Sequence, residues 1–341
     1  MPAILGIEST CDETAAAVVV DGYDVRSNVV SSQVDLHARF GGVVPEIASR
    51  AHIEKILPVI DEALQTAGIK LEEIDAIAVA HRPGLIGSLL IGVTAAKTLA
   101  WAASKPLIGV DHVHAHLYSV VLETNAQPEM PAVGLVCSGG HTALYHVNGW
   151  SDVTLIGSTI DDAVGEAYDK VAAILGLGYP GGPIVDRQAQ RGNAQAVRFP
   201  RSLLGRESLD FSFSGLKTAV LYHVRGVPGR RAKPPPSSLS ESQLSDIAAS
   251  FQAACVDILI EKIKRAARRI GARSILAGGG VSANHALREA LAKLSLPTFL
   301  PKLQYCVDNA AMSAGLALTA YSEDQFSDLG LDAITFSRFR R

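Results

Sequence analysis

Gly6 and Thr14 stand eight positions apart, and so do Gly134 and Thr142. Each pair brackets the same order of signals: an apolar run (3–7 and 133–136), a loop of small and polar residues, and a second apolar run (15–20 and 143–147). Each then ends in a tight-turn dipeptide, Asp21-Gly22 in one case and Asn148-Gly149 in the other. A hairpin that recurs in this way restricts the chain to a duplicated unit, each copy opening on antiparallel strands.

Helical and strand periodicities alternate after each hairpin. The first half predicts a helix over 45–66, a strand over 74–80, a helix over 88–103 and a strand over 107–110. The second predicts helices over 163–175, 246–270, 283–294 and 309–321 and a strand over 274–276. The class is α/β, and Pro58 should bend or split the first long helix. A chain of 341 residues exceeds what one core usually serves. We therefore expect two domains, 1–128 and 129–341, with periodicity lapsing over 124–131. The proline-, glycine- and arginine-rich stretch 225–240 reads as an exposed, mobile insertion.

A net charge of −3 gives no overall field to attract nucleic acid or a membrane surface, so a polyanion needs a local basic patch. Lys262, Lys264, Arg265, Arg268 and Arg269 offer one, Arg230-Arg231 another, and residues 338–341 a third. The four cysteines form no C-x-x-C pair, which argues against a zinc ribbon or a disulfide-stapled domain and fits a reducing cytoplasm. The longest apolar stretch, 85–103, contains Gly87, Ser88, Gly92 and Lys97, and reads as a packed helix rather than a membrane span.

Three alternate histidines, His112, His114 and His116, follow an apolar run. If a helix opens at Asp111, His112 and His116 lie one turn apart and can share a metal, while His114 points elsewhere. Three glycine-containing loops could hold a ligand. Ser138-Gly139-Gly140-His141-Thr142 occupies the hairpin turn of the second repeat and lacks bulk where a phosphate or acyl group would approach. Gly278-Gly279-Gly280 leads from a strand towards a helix, with Asn284 able to bond a ribose or base edge. Tyr179-Pro180-Gly181-Gly182-Pro183 is either a rigid loop over a sugar or a helix-ending turn. Asp161, Asp162, Asp169 and Asp186 around it are either capping carboxylates or ribose contacts.

Taken in order, these stretches resemble one family, the universal tRNA threonylcarbamoyladenosine transferases, of the superfamily of actin, sugar kinases and the seventy-kilodalton heat-shock ATPases. The likeness also rests on Glu8-Ser9-Thr10-Cys11-Asp12-Glu13-Thr14, on 41–50, on Phe211-Ser212-Phe213-Ser214-Gly215-Leu216-Lys217 and on Asp308-Asn309, and it spans nearly the whole chain. Two positions depart from the pattern: Arg82 stands where a glycine usually precedes Pro83-Gly84-Leu85, and Cys137 precedes the glycine loop.

The resemblance implies duplicated ribonuclease-H-like domains facing across a cleft. It implies that His112, His116 and Asp308 hold one divalent metal, iron(II) first and zinc(II) as the alternative. Val136, Cys137, Ser138, Gly139, Gly140, Asp169, Gly182, Asp186 and Asn284 would then surround threonylcarbamoyl-AMP. The acceptor would be tRNA, and Asp12, ahead of Glu13, would take the proton of the attacking amine. A shorter paralogue of the same fold, docked through the first domain, and a small P-loop ATPase are the implied partners in the cytoplasm.

Two other enzyme classes are weighed against this. A zinc protease helix carries glutamate beside its first histidine, and Val113 occupies that place. A sugar kinase or ATP-driven chaperone binds Mg²⁺ through phosphates and carboxylates, which leaves the imidazoles without a role. A nucleotide-binding scaffold without chemistry leaves them unexplained as well.

Overall fold

A computed structural model describes residues 1–227 and 239–337. Most of the 225–240 insertion, with Arg230 and Arg231, and residues 338–341 lie outside the described residues.

The first repeat folds as β1 (Ala3–Glu8), β2 (Glu13–Val20) and β3 (Asp24–Ser32), then a short helix α1 (Val34–Ala38), α2 (Pro45–Ala67), β4 (Ala76–Arg82), α3 (Ile86–Ala103), β5 (Leu107–Asp111) and α4 (His112–Tyr118). The second supplies β6 (Ala132–Cys137), β7 (Thr142–Gly149), β8 (Asp152–Ser158), α5 (Val164–Leu175), α6 (Gly181–Ala189), α7 (Ser214–Arg225), α8 (Glu241–Ile270), β9 (Ser274–Gly278), α9 (His285–Ala292), β10 (Thr298–Phe299) and α10 (Ala310–Ser322).

The two five-stranded sheets have orders β3-β2-β1-β4-β5 and β10-β9-β6-β7-β8. In each, the first three strands form an antiparallel meander and the next two add in parallel beside the first. The duplication read from the hairpins therefore extends through both sheets, and the fold is the actin-like ATPase type.

The two repeats exchange helices. From the first, α4 packs against β6 and β9, while α10, from the second, covers β1, β2 and β4. Glycines admit both helices: a Cβ at Gly6 would overlap Ala310 and Ala314, and one at Gly134 would overlap Leu117. The core between the sheets, built on Ile108, Val113, Leu117, Leu276, Met312 and Leu316, thus belongs to both halves of the sequence.

Helix α2 runs unbroken through Pro58. Both Pro58 and Glu54, whose carbonyl loses its intrahelical donor, are exposed, so the missing bond falls on the solvent side of the helix. Helices α3 and α8 are long and apolar enough to cross a membrane. In the fold they are packing helices, α3 against α2 and β4 and α8 against α6.

Candidate metal and substrate cleft

Asp111 opens α4 as the histidine reading required. Its Oδ1 accepts hydrogen bonds from the backbone N–H of Val113 (3.0 Å) and His114 (3.3 Å), capping the helix. That start sets His112 and His116 on one face with ring centroids 4.6 Å apart. Asp308 arrives from the other repeat, just ahead of Asn309, whose side chain caps α10 at Met312 N.

Asp308 Oδ1 lies 3.1 Å from His116 Nε2 and 3.5 Å from His112 Nε2. The three donor atoms fall within 4.8 Å of one another, close enough to hold one metal ion. On the far side of the His112 ring, Nδ1 meets Glu8 Oε2 at 3.1 Å. With that nitrogen donating, Nε2 keeps its lone pair for a metal, the carboxylate–histidine arrangement of many metal sites. His116 Nδ1 is buried with no hydrogen-bond partner among the described residues.

Burial alone would lower the His112 imidazole, but Glu8 and Asp308 lift it to about 9. Burial pushes the Asp308 carboxyl up, yet His112 and His116 hold it well below the usual carboxylate range. Two imidazoles and one carboxylate suit a divalent ion that displaces the imidazole protons on binding.

Of the three, His112 and Asp308 line a 710 Å³ cleft. It is lined by Thr10, Cys11, Asp12 and Glu13 from the first hairpin, by Ser138–His141 from the second, and by His112, Asp308, Asp169, Tyr179 and Gly280. Asp12 is nearly buried there. Beside it, burial reinforced by Asp308 and Asp12 pushes the Glu13 carboxyl up to about 9. His141 is drawn down to about 4 by burial and by His112 and His116. Burial thus favours the uncharged forms of both Glu13 and His141 in the cleft.

The sequence-predicted substrate residues divide. Ser138, Gly139, Gly140 and Asp169 line the cleft, and a Cβ at Gly139 or Gly140 would meet nothing within 4 Å, so the backbone there is open to a ligand. Val136 and Cys137 are fully buried in β6, away from the wall, and the Cys137 thiol reaches Gly278 O at 3.6 Å.

Asp186 and Asn284 are not among the residues lining the cleft and are tied together: Asn284 Nδ2 donates to Asp186 Oδ1 at 3.1 Å and to Gln252 Oε1 at 2.8 Å. Asn284 also caps α9 at Leu287 N. Tyr179-Pro180-Gly181-Gly182-Pro183 proves to be the start of a helix, since Pro180 precedes α6 and Asp169 Oδ1 accepts from Gly181 N at 2.7 Å. Gly182 stands in that first turn with open space at its Cβ. The Asp161-Asp162 pair turns out structural: Asp161 caps α7 through Phe213 N and Ser214 N, and Asp162 binds Lys170 and Lys217.

Three further participants had no role assigned from sequence. Glu8 hydrogen-bonds His112, Gln252 completes the polar set with Asp186 and Asn284, and His141 lines the cleft with His112 and Asp308. Gln252 left a signal, being a polar residue among Ala248, Phe251, Cys255 and Leu259 on the buried face of α8.

Residues 24–315 match the family described as tRNA N6-adenosine threonylcarbamoyltransferase (TsaD). The protein of that name from Moorella thermoacetica is 51% identical over 338 residues, spanning 97% of this chain and 95% of its own length. Its counterpart from Symbiobacterium thermophilum is 51% identical over 335 residues with the same shares. The crystal structure of T. kodakarensis HypF superposes with a TM-score of 0.61 at 15% identity, over 97% of this chain and 49% of that one, a likeness of fold alone.

Proposed function

This chain belongs to the tRNA N6-adenosine threonylcarbamoyltransferase family and is a transferase acting on tRNA. From that premise we propose that it moves the threonylcarbamoyl group from threonylcarbamoyl-AMP to the exocyclic amine of the adenosine 3′ of the anticodon in tRNAs reading codons that begin with A. The observation that carries the proposal is the convergence of His112, His116 and Asp308, with His112 and Asp308 lining one cleft together with Ser138, Gly139 and Gly140.

The donor is a mixed anhydride: the amine attacks the carbamoyl carbon, a C–N bond forms, the C–O bond to AMP breaks, and the amine loses a proton. Asp12 is assigned as the proton acceptor, since burial favours the uncharged form of the neighbouring Glu13. The backbone N–H groups of Ser138, Gly139 and Gly140 are assigned to the oxygen that gains charge. Asp186 and Asn284, with Gln252, are assigned to the adenosine of the donor. A divalent ion on the three ligands supplies Lewis-acid polarisation of a substrate oxygen, and both iron(II) and zinc(II) suit the set, with iron(II) preferred.

The lobes assigned to 1–128 and 129–341 enclose this chemistry, in the cytoplasm that four free cysteines suit. A shorter paralogue of like fold is assigned to the first lobe, where Ile53 and Leu57 on α2 and Ile86 and Leu90 on α3 leave apolar side chains exposed. A small P-loop ATPase completes the proposed assembly.

The test mixes the purified protein with these partners, unmodified tRNA and threonine-labelled threonylcarbamoyl-AMP. Label in the nucleoside beside the anticodon is the expected result. Label that stays in the adenylate or appears only as free threonine would refute the donor assignment.

A further inference from the structure

The net charge of −3 hides a local excess of the opposite sign on the second lobe. A 280 Å³ depression near the C-terminal end of α8 is lined by Arg206, Glu207, Arg265, Arg268 and Arg269. A 540 Å³ depression beside it shares Arg268 and adds Lys264 and Lys293. Glu207 lies 3.6 Å from Arg269 and Glu261 lies 2.9 Å from Arg265. Arg206, Lys264, Arg268 and Lys293 are exposed and have no ion-pair partner among the described residues.

Lys262, grouped with these cations from sequence, is not part of the surface. It is fully buried, and its Nζ donates to Leu203 O at 2.7 Å and Ser208 O at 2.6 Å. Arg265 Nη1 donates to Gly205 O and Arg269 Nη2 to Glu207 O, both at 2.6 Å. The 203–208 loop is thus fastened to α8 by three cations, and two of the guanidinium groups in the groove are held in place before anything binds.

Helix α8 runs from this groove to the polar set assigned above to the donor adenosine. Gln252, on Asn284 and Asp186, and Arg268 are sixteen residues apart on one continuous helix, about 24 Å at 1.5 Å per residue. We propose that the Arg206–Lys264–Arg268–Arg269–Lys293 groove holds backbone phosphates of the tRNA stem whose target adenosine occupies the cleft. Arginine forks match phosphate oxygens, and a row of them follows a polyanion without reading its sequence. The inference rests on the tRNA-acceptor reading above and adds to it a second contact that selects folded RNA over a short strand.

The test is the double charge reversal Lys264→Glu/Arg268→Glu, with Lys264→Gln/Arg268→Gln as the milder pair. Affinity is measured for full-length tRNA and for a seven-nucleotide loop carrying the target adenosine, each from 50 to 300 mM salt. Losing two phosphate contacts should cut the log–log salt slope by about 1.5 and weaken tRNA binding about thirty-fold at 0.1 M salt. Affinity for the heptanucleotide should change less than two-fold.

An unchanged slope for tRNA, or equal losses for both RNAs, overturns the groove. Circular dichroism on both pairs separates a folding defect from a binding one. If wild type binds tRNA with the expected slope yet transfers no label to it, the donor reading fails and the groove stands.

Discussion

His112 and Glu8 meet directly, Nδ1 of the imidazole 3.1 Å from Oε2 of a carboxylate that is wholly buried. The same carboxylate, through Oε1, accepts the N–H of Thr10 at 2.8 Å, so the first hairpin loop and the metal-ligand ring share one anchor. Glu8→Gln keeps the shape and removes the charge. Metal affinity should fall between about tenfold and a hundredfold. Titration with iron(II) or zinc(II) against a competing chelator measures it, and an unchanged affinity removes Glu8 from the site's design.

Gly278 ends β9 directly beneath the carbonyl oxygen of His116, where a Cβ would overlap it. Gly278→Ala should shift α4 and cost about 1–3 kcal/mol of stability through overpacking. Metal affinity should fall in parallel, although residue 278 offers no ligand atom. Thermal unfolding and metal titration on the same variant check both effects, and a loss of stability without a loss of affinity separates them.

Asp12→Asn should lower transfer from preformed threonylcarbamoyl-AMP by about 10² to 10⁴, with metal content unchanged. Single-turnover assays with bound tRNA isolate the chemical step. Near-normal turnover removes Asp12 as proton acceptor.

Gln252→Leu leaves Asn284 and Asp186 without their shared partner while filling the same space on α8. Binding of an adenosine nucleotide should weaken about tenfold, near 1.4 kcal/mol. Calorimetric titration reads this directly, and unchanged binding moves the adenosine elsewhere in the cleft.

Asp161 fastens α7 by accepting from Ser212 Oγ, Phe213 N and both donors of Ser214. Burial raises its carboxyl, but those bonds outweigh burial and hold it below its ordinary value of 3.8. A depressed carboxylate stabilises the fold above its unfolded pKa, and that contribution is lost as pH falls through the lower folded one. Because Asp161 is exposed and screened by solvent, Asp161→Ala should cost no more than about 1 kcal/mol at pH 7, with the gap from wild type narrowing below pH 4. Urea unfolding across that range checks it, and a gap that widens in acid contradicts the assignment.

Much of the architecture was legible because its signals are local. The hairpin repeat announced both sheets, and Asp111 announced the helix that pairs His112 with His116. What escaped was carried by tertiary context. Strand β3 has a mixed burial pattern, with Arg26, Val30 and Ser32 exposed, so its alternation is too weak to read. Helix α8 begins at Glu241 rather than 246 because Ser240 and Gln243 form a capping box beyond the apolar stripe.

In the site, Asp308 is reached by resemblance alone, since no spacing rule links it to His116, 192 positions away in the sequence, or to His112. Lys262 was misplaced on the surface because helical periodicity cannot foresee two loop carbonyls arriving over it.

The helix that covers β1 and β2 is made from residues 310–322. During synthesis, a ribosome that has finished every strand of the front sheet still has about two hundred residues to add before that sheet gains its cover. Until then the opening hairpin waits with bare apolar surface, and Asp308 has not yet been made to join the two imidazoles. Assembly of the His112–His116–Asp308 group, which could hold one ion, is thus a late event in the life of each newly made molecule.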